Sequence, residues 1–420
     1  MLQRKRIIQC AMLFGVAAVT ALALLLSGPS GAKAAPDHVT LTWASDPKTT
    51  QTVTWRTDVT AKSGLVQYAQ VTNGFTLPVN PRTAQAQAEE LASNAGNMSI
   101  HSVTLTGLIP GSRYLYRVGD GEEWSEINSF TTAPARPEKF KFLMFGDSQS
   151  YTYELWQKTL HQAYQANQDA AFLVNVGDLV DVGQDYGQWN GWLNAGKGVI
   201  DAIPLVPVVG NHETYTPEAK FSLPTLFTSQ LKVPSNGPEG LKGQVYSFDY
   251  GNVHFSVLDS QLGEERSFVA NMLELQKSWL EQDLAASAKQ WKVVLIHRPP
   301  YHNRPKPGDE ELRDGLTPLF DKYHVDIVFA GHDHDYVRSY PLYGGQIMQE
   351  SAQGTIYVTC GRSGTKTYKA TLAKDWDEFF FNPIDEPNYM TVEVNGGELS
   401  VKSFMQSGAL IDAWTVRKGK

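Results

Sequence analysis

The chain has 420 residues, 42% hydrophobic and 19% charged, which is enough for two or three domains with buried cores. This composition excludes a disordered, collagen-like or coiled-coil protein. Its 44 acidic residues outnumber its 36 basic ones, giving a formal net charge of -8, so no nucleic-acid-binding surface is expected.

The first 34 residues have the pattern of an export signal peptide. Three basic residues at positions 4–6 precede an apolar run over residues 7–26, and an Ala-Lys-Ala cleavage site ends at Ala34. We therefore expect residues 1–34 to be removed and the protein to be secreted and extracellular, with no membrane association after cleavage. The alternative is that the apolar run stays in place as a membrane anchor.

The chain has two cysteines, and only one of them follows the predicted signal. Cys10 lies within the signal, so Cys360 has no partner for an internal disulfide in the processed chain. Cys360 ends an apolar run over residues 355–360 and is therefore predicted to be a small buried core residue.

Residues 36–133 are predicted to form an all-β sandwich domain. Apolar and polar residues alternate in short runs, as at Val53 and Trp55, which is typical of strands with one buried face. The segment from Leu108 to Tyr114 resembles the turn and corner tyrosine of a fibronectin type III module, and residues 133–137 have the prolines of a linker. The predicted strands are 38–43, 50–56, 64–68, 100–105, 114–118 and 129–132.

Residues 139–415 are predicted to form a layered α/β domain, because strands now alternate with helices. Its predicted strands are 140–145, 171–176, 205–209, 253–258, 291–296 and 325–330, with a terminal hairpin over 389–394 and 399–404. Its predicted helices are 153–166, 268–284 and 311–323.

Polar residues able to bind metal follow five of these strands. In open α/β folds ligands gather beyond the carboxyl ends of the strands, and glycine there allows a sharp turn, so we expect the five groups to converge on one crevice. The groups are Gly146-Asp147, Gly177-Asp178, Gly210-Asn211-His212-Glu213, His297 and Gly331-His332-Asp333-His334.

Each group is a weak signal by itself, since Gly-Asp commonly marks a turn and a single histidine is commonly structural. The ordered set is much more specific than its members. Six nitrogen and oxygen donors divided into two groups that share one carboxylate suit two metal ions, with Fe, Zn or Mn as candidates.

This ordered set resembles the motifs of the calcineurin-like metallophosphoesterases and, among them, the purple acid phosphatases with their fibronectin-like front domain. The resemblance extends over nearly the whole chain after the signal. It implies an all-β sandwich followed by an α/β domain in which two mixed sheets pack as a sandwich with helices on the outer faces. It also implies two metal sites, the first held by Asp147, Asp178 and His334 and the second by Asp178, Asn211, His297 and His332.

By the same resemblance the protein is a metal-dependent phosphoric ester hydrolase that acts on phosphorylated small molecules. Phosphomonoester hydrolysis by attack of a metal-bound hydroxide is the leading expectation. His212 is assigned to stabilise the transition state or protonate the leaving group, and its alternative role is to orient the neighbouring ligand. Asn211 and His302 are expected to contact the substrate.

Two residues depart from the family pattern. Asp181 stands where the purple acid phosphatases have a tyrosine three residues after the bridging aspartate, so we predict a colourless enzyme. Gln149 stands where many metallophosphoesterases have a histidine. Its carbonyl oxygen can bind the first metal, or its amide can donate a hydrogen bond to bound water or phosphate.

Two alternatives to the leading function remain at this stage. The same metals would serve a phosphodiesterase acting on nucleotides, glycerophosphodiesters or wall polymers. In the other alternative the chain is an extracellular binding protein with a vestigial metal site. The aromatic segment 184–192 presents rings to a leaving group or packs as a helix, and packing is favoured because Trp and Tyr usually fill cores.

Overall fold

The computed structural model describes residues 35–61, 63–136, 139–305 and 310–419. The predicted signal peptide, residues 1–34, lies outside these ranges, and its cleavage stays a prediction. Within them, no helix is long and apolar enough to cross a membrane.

The N-terminal part of the chain is all-β. Its strands are β1 (Asp37–Thr42), β2 (Gln51–Thr57), β3 (Leu65–Gln70), β4 (Arg82–Gln85), β5 (Gln87–Ser93), β6 (Gly96–Leu105), β7 (Arg113–Gly119) and β8 (Asn128–Thr131). They form two four-stranded antiparallel sheets, in the orders β1-β2-β6-β5 and β4-β3-β7-β8. The all-β prediction is confirmed, but β4 and β5 were missed.

The core of this part is built from the apolar faces of the predicted strands. Val53 and Trp55 of β2 and Tyr116 of β7 are buried in one cluster. Tyr114 is buried beside them, and its hydroxyl accepts a hydrogen bond from the backbone N–H of Ile109 at 2.9 Å. This contact fixes the turn that the sequence predicted between residues 108 and 114.

The C-terminal part contains the remaining strands. They are β9 (Lys139–Phe145), β10 (Ala170–Asn175), β11 (Leu205–Pro207), β12 (Tyr246–Tyr250), β13 (Val253–Val257), β14 (Trp291–Leu295), β15 (Ile327–Ala330), β16 (Tyr336–Ser339), β17 (Leu342–Tyr343), β18 (Gln346–Ile347), β19 (Ile356–Cys360), β20 (Asp377–Phe381), β21 (Asn388–Asn395), β22 (Glu398–Met405) and β23 (Leu410–Arg417). Apart from the β17–β18 hairpin, they form two mixed sheets in the orders β11-β10-β9-β21-β22-β23 and β12-β13-β14-β15-β19-β16-β20.

The two mixed sheets pack face to face around an aromatic core. Phe142 of β9 stacks on Phe172 of β10 with ring centroids 4.8 Å apart and meets the edge of Phe255 of β13 at 5.7 Å. Cys360 of β19 is a buried free thiol in this core, as predicted. The parallel pairs β9–β10, β10–β11, β13–β14, β14–β15 and β15–β19 bring the carboxyl ends of these strands to common sheet edges.

Helices cover the outer faces of both sheets, which confirms the predicted fold class. They are α1 (Glu154–Ala166), α2 (Tyr186–Gly196), α3 (Thr225–Gln230), α4 (Leu262–Glu265), α5 (Met272–Ala286) and α6 (Glu310–Tyr323), with short 3₁₀ turns at His212–Thr214 and Ser351–Gln353. Buried residues of α1 and α2 pack on the β9 sheet, and those of α5 and α6 pack on the β13 sheet. Helix α5 begins four residues later than predicted, after Asn271, whose backbone is left-handed.

The all-β part packs against the α/β part. The hydroxyl of Tyr116 donates to the carbonyl of Asp201 at 2.7 Å, and the backbone N–H of Leu41 donates to the carbonyl of Ile200 at 2.8 Å. Trp43 adds its ring to the core between the mixed sheets, 5.4 Å from Phe172.

Candidate metal centre

The polar groups that follow five strands meet in one buried cluster. Within the described residues, two sets of three side chains place ligand atoms within 4.8 Å of one another. They are Asp147, Asp178 and His334, and Asp178, His297 and His332. Both sets share Asp178, and these are the residues that the sequence motifs brought forward.

The second set surrounds the Nε2 atom of His297. This atom lies 3.3 Å from Asp178 Oδ1, 3.2 Å from Asn211 Oδ1 and 3.3 Å from His332 Nδ1. The opposite nitrogen of His297 donates to the carbonyl of Val176 at 2.8 Å, which orients the ring. Although burial lowers its pKa, the Asp178 carboxylate raises the pKa of His297 to about 9, so a positive charge is favoured where these lone pairs meet.

Asn211 is oriented for the same point by a neighbour. Its amide nitrogen donates to the hydroxyl of Tyr215 at 2.8 Å, which turns its carbonyl oxygen towards His297. A set of convergent carboxylate, carbonyl and imidazole donors fits a divalent cation.

The first set lies on the other side of Asp178. The Nε2 atom of His334 is 3.2 Å from Asp147 Oδ1, and its Nδ1 donates to the carbonyl of Lys366 at 2.9 Å. Gln149 is fully buried with its amide nitrogen 3.2 Å from Asp178 Oδ2 and 3.4 Å from His334 Nε2, and its Oε1 has no hydrogen-bond partner. The side chain of Gln149 therefore lies at the candidate first metal site, where both of its sequence-based roles stay open.

Four of the candidate ligands have a left-handed backbone. The φ angles are 49° at Asp147, 52° at Asp178, 71° at His332 and 62° at His334. This conformation costs a non-glycine residue about 1 kcal/mol or more and is characteristic of functional sites. It results from sharp turns directly after the strands, and these turns aim the four side chains into the cleft.

Glu213 holds two of the ligand loops together. Its buried carboxylate accepts backbone N–H groups from Asp178 (2.9 Å), Leu179 (2.8 Å), Val180 (3.2 Å) and Gly210 (2.7 Å). Residues 177–180 and 210–213 are thereby fixed to each other. The sequence singled out this glutamate only as part of a motif and gave it no role.

His212 lies beside the carboxylate of Asp178, which both sets share. Its Nδ1 donates to the backbone carbonyl of Asp181 at 2.6 Å, which leaves Nε2 facing the cleft, 3.8 Å from Asp178 Oδ2. Its side chain is 11% exposed, so the ring is largely buried beside the candidate metal ligands.

Lys366 contacts both Asp181 and His212, and no sequence motif singled it out. Its ammonium is 2.5 Å from Asp181 Oδ1 and 3.1 Å from His212 Nε2. Asp181 therefore pairs with a lysine here. The sequence feature that could have pointed to Lys366 is the glycine-containing segment 361–364 just before it. This segment follows an apolar strand, as the loops with the candidate ligands do.

Arg298 lies next to the second set. It lies 3.0 Å from Nε2 of His332 and 2.7 Å from the carboxylate of Glu264, which hold its guanidinium at the cluster. Burial and this guanidinium lower the pKa of His332 well below its usual value, which keeps the ring neutral as a metal ligand must be.

The remaining sequence-predicted residues lie near the cleft with different partners. Asp333 points away from the metal cluster, accepting the backbone N–H of Asn303 at 2.7 Å and pairing with Arg304 at 2.9 Å. His302 is half-buried next to this pair, and its Nδ1 has no hydrogen-bond partner. Its substrate contact stays a prediction.

The aromatic segment after the bridging motif forms helix α2. Trp189 and Trp192 are fully buried in the core against the β9 sheet. The indole N–H of Trp192 donates to Ser148 at 2.9 Å. The packing interpretation of this segment is therefore correct.

Two protein families match the chain in sequence. Residues 36–132 match the purple acid phosphatase N-terminal domain, and residues 140–336 match the calcineurin-like phosphoesterases. Human acid phosphatase type 7 is 26% identical over 426 residues, covering 93% of this chain and 92% of that protein. Purple acid phosphatase 23 of Arabidopsis thaliana is 28% identical over 334 residues, covering 69% of each chain.

Solved structures share the fold over nearly the whole chain. The purple acid phosphatase PPD1 from yellow lupin (Lupinus luteus) seeds aligns with a TM-score of 0.76 at 20% identity, covering 91% of this chain and 74% of that one. The structure of PhoD aligns with a TM-score of 0.65 at 15% identity, covering 93% and 95%. Both parts of the chain thus have counterparts in these proteins.

Proposed function

This chain belongs to the calcineurin-like phosphoesterases that carry a purple acid phosphatase N-terminal domain, and from that premise we propose that it is a secreted phosphatase that hydrolyses phosphomonoesters at a dinuclear metal centre. Its class is that of a metal-dependent phosphoric ester hydrolase. The observation that carries the proposal is the pair of buried donor sets that share Asp178.

Six side chains would hold the two metal ions, for which Fe, Zn and Mn are candidates. Donor chemistry supports this assignment, because buried carboxylate and imidazole ligand atoms converge within 4.8 Å of one another in each set. The first ion would be held by Asp147, Asp178 and His334, and the second by Asp178, Asn211, His297 and His332.

When bound, such a pair of metal ions supplies a nucleophilic water at neutral pH and neutralises the charge that develops on the phosphoryl group. The protein groups around them bind and orient the ester. His212 is held by the Asp181 carbonyl with Nε2 towards the cleft, which suits a hydrogen bond with the ester or, when Nε2 also carries a proton, delivery of that proton to the leaving oxygen. Asn211 and His302 are proposed as further substrate contacts.

The substrate is proposed to be a phosphorylated small molecule. Three charged side chains beside the candidate metal ligands are partly exposed, namely Asp181, Arg298 and Lys366. Secretion is proposed from the signal-like sequence of residues 1–34. Mass spectrometry of protein recovered from the culture medium tests this, because cleavage after Ala34 leaves Ala35 as the first residue.

The reaction is tested with a chromogenic phosphomonoester beside its bis-ester. Purified protein lacking residues 1–34 is loaded with Mn, Zn or Fe and assayed with and without a chelator. Chelator-sensitive cleavage that favours the monoester is the expected result. Preferential cleavage of the bis-ester would show that the protein is a phosphodiesterase. No cleavage with any metal would refute both the phosphomonoesterase and the phosphodiesterase assignments.

A further inference from the structure

Lys366 adds a positive charge beside His212 in the candidate catalytic cleft. An ammonium has three N–H donors, and its contacts with Asp181 and His212 use two of them. His212 accepts at Nε2 because its Nδ1 proton is donated to the Asp181 carbonyl. The lysine side chain is 26% exposed, so its remaining donor is available to a ligand that enters the cleft.

The loop that carries Lys366 is fixed to the candidate metal ligands. Gly364 donates its backbone N–H to the carbonyl of Asp147 at 3.0 Å, and the carbonyl of Lys366 accepts the Nδ1 proton of His334 at 2.9 Å. A Cβ atom at Gly364 would lie 2.3 Å from the carbonyl of Gln149, so this approach requires glycine. Lys366 is therefore positioned by the same loops as the ligands.

We propose that Lys366 is a substrate-binding residue that favours phosphomonoesters over phosphodiesters. The inference rests on the function proposed above and names a residue for its specificity. A monoester has one more non-bridging oxygen than a diester and, at neutral pH, one more negative charge. An ammonium beside His212 matches both differences, since charge-assisted hydrogen bonds to phosphoryl oxygens are strong. Asp181 is the positioning residue that holds the ammonium there.

A purely structural role for Lys366 predicts different behaviour. In that case the lysine only neutralises Asp181, and removing both charges together would restore the site. If Lys366 binds the phosphoryl group, the double variant that removes the charges of Asp181 and Lys366 still lacks one hydrogen-bond donor to the substrate. The variants K366M and D181N/K366M therefore separate the two roles.

The experiment measures inorganic phosphate binding by isothermal titration calorimetry on metal-loaded protein, with metal content and melting temperature recorded for every variant. We expect K366M to bind phosphate about tenfold more weakly or worse, with its metals retained. K366R keeps the charge and is expected to recover most of the affinity. K369M removes an exposed lysine three residues away and is the matched control, expected to equal wild type.

Ester preference gives a second measurement on the same proteins. The kcat/KM of K366M for the monoester is expected to fall at least about tenfold, mainly through KM, while its kcat/KM for the bis-ester changes little. Wild-type phosphate affinity and ester preference in K366M, or recovery of both in D181N/K366M, would overturn the inference while leaving the phosphatase assignment intact. Wild-type protein that binds no metal and cleaves neither ester would instead overturn the proposed function and this inference with it.

Discussion

Exchange of Glu213 for glutamine tests whether one carboxylate holds the candidate metal centre together. Its two oxygens accept four backbone N–H groups, two at each oxygen. In Glu213→Gln one oxygen becomes an amide nitrogen, so two buried N–H donors face another donor. Each unsatisfied donor costs about 1–3 kcal/mol, and the expected loss of stability is therefore about 2–6 kcal/mol.

The consequence for the site follows from which loops are released. Residues 177–180 and 210–213 carry Asp178 and Asn211, which are proposed as metal ligands, so metal retention should fall together with stability. Thermal unfolding and metal content are measured on Glu213→Gln beside Glu218→Gln, an exposed glutamate in the next loop. A Glu213→Gln protein that melts with the control and keeps both metals would show that the carboxylate does not hold the loops.

Three further predictions concern the metal centre and a distant histidine. His332→Ala should lose at least one of two metal ions by elemental analysis, and retention of both with full activity would contradict the ligand assignment. Iron-loaded protein purified in air should have no visible band of the tyrosinate charge-transfer kind, because Asp181, which pairs with Lys366, stands where the family has its tyrosine; such a band would contradict this. Despite burial, Asp249 and Asp283 raise the pKa of His254 to about 9 from 6.5, so its stabilising charge is complete below pH 6.5 and lost as pH rises through 9. The melting temperature should fall over that interval in wild type and less in His254→Gln.

The features predictable from sequence are those encoded by local pattern. The buried strands β9, β10, β14 and β15 are short apolar runs that end in glycine or polar residues, so both the strands and the groups after them were visible. The convergence of Asp147 and Asp178 then followed from the parallel strands β9 and β10 sharing one sheet edge. His334 follows β15 of the other mixed sheet, and it meets these two residues because the two sheets pack face to face.

The missed features depend on contacts between distant parts of the chain. Strand β5 is almost entirely exposed and has one buried residue, Leu91, so no alternating pattern marked it. Strand β23 is a half-exposed edge strand with a similarly weak pattern. Lys366 is 154 positions from His212 in the sequence, and only the folded loop brings its ammonium beside that ring.

The left-handed backbone at the candidate ligands has an evolutionary consequence. Glycine adopts that conformation without the steric cost that Asp147, Asp178, His332 and His334 incur. At all four positions, the substitution that would relieve the backbone is therefore also the one that would remove a candidate metal ligand. Directed evolution that selects only for heat resistance should therefore favour glycine at these positions. Selection for turnover should oppose glycine there, so stability and activity make opposite demands on the same four residues.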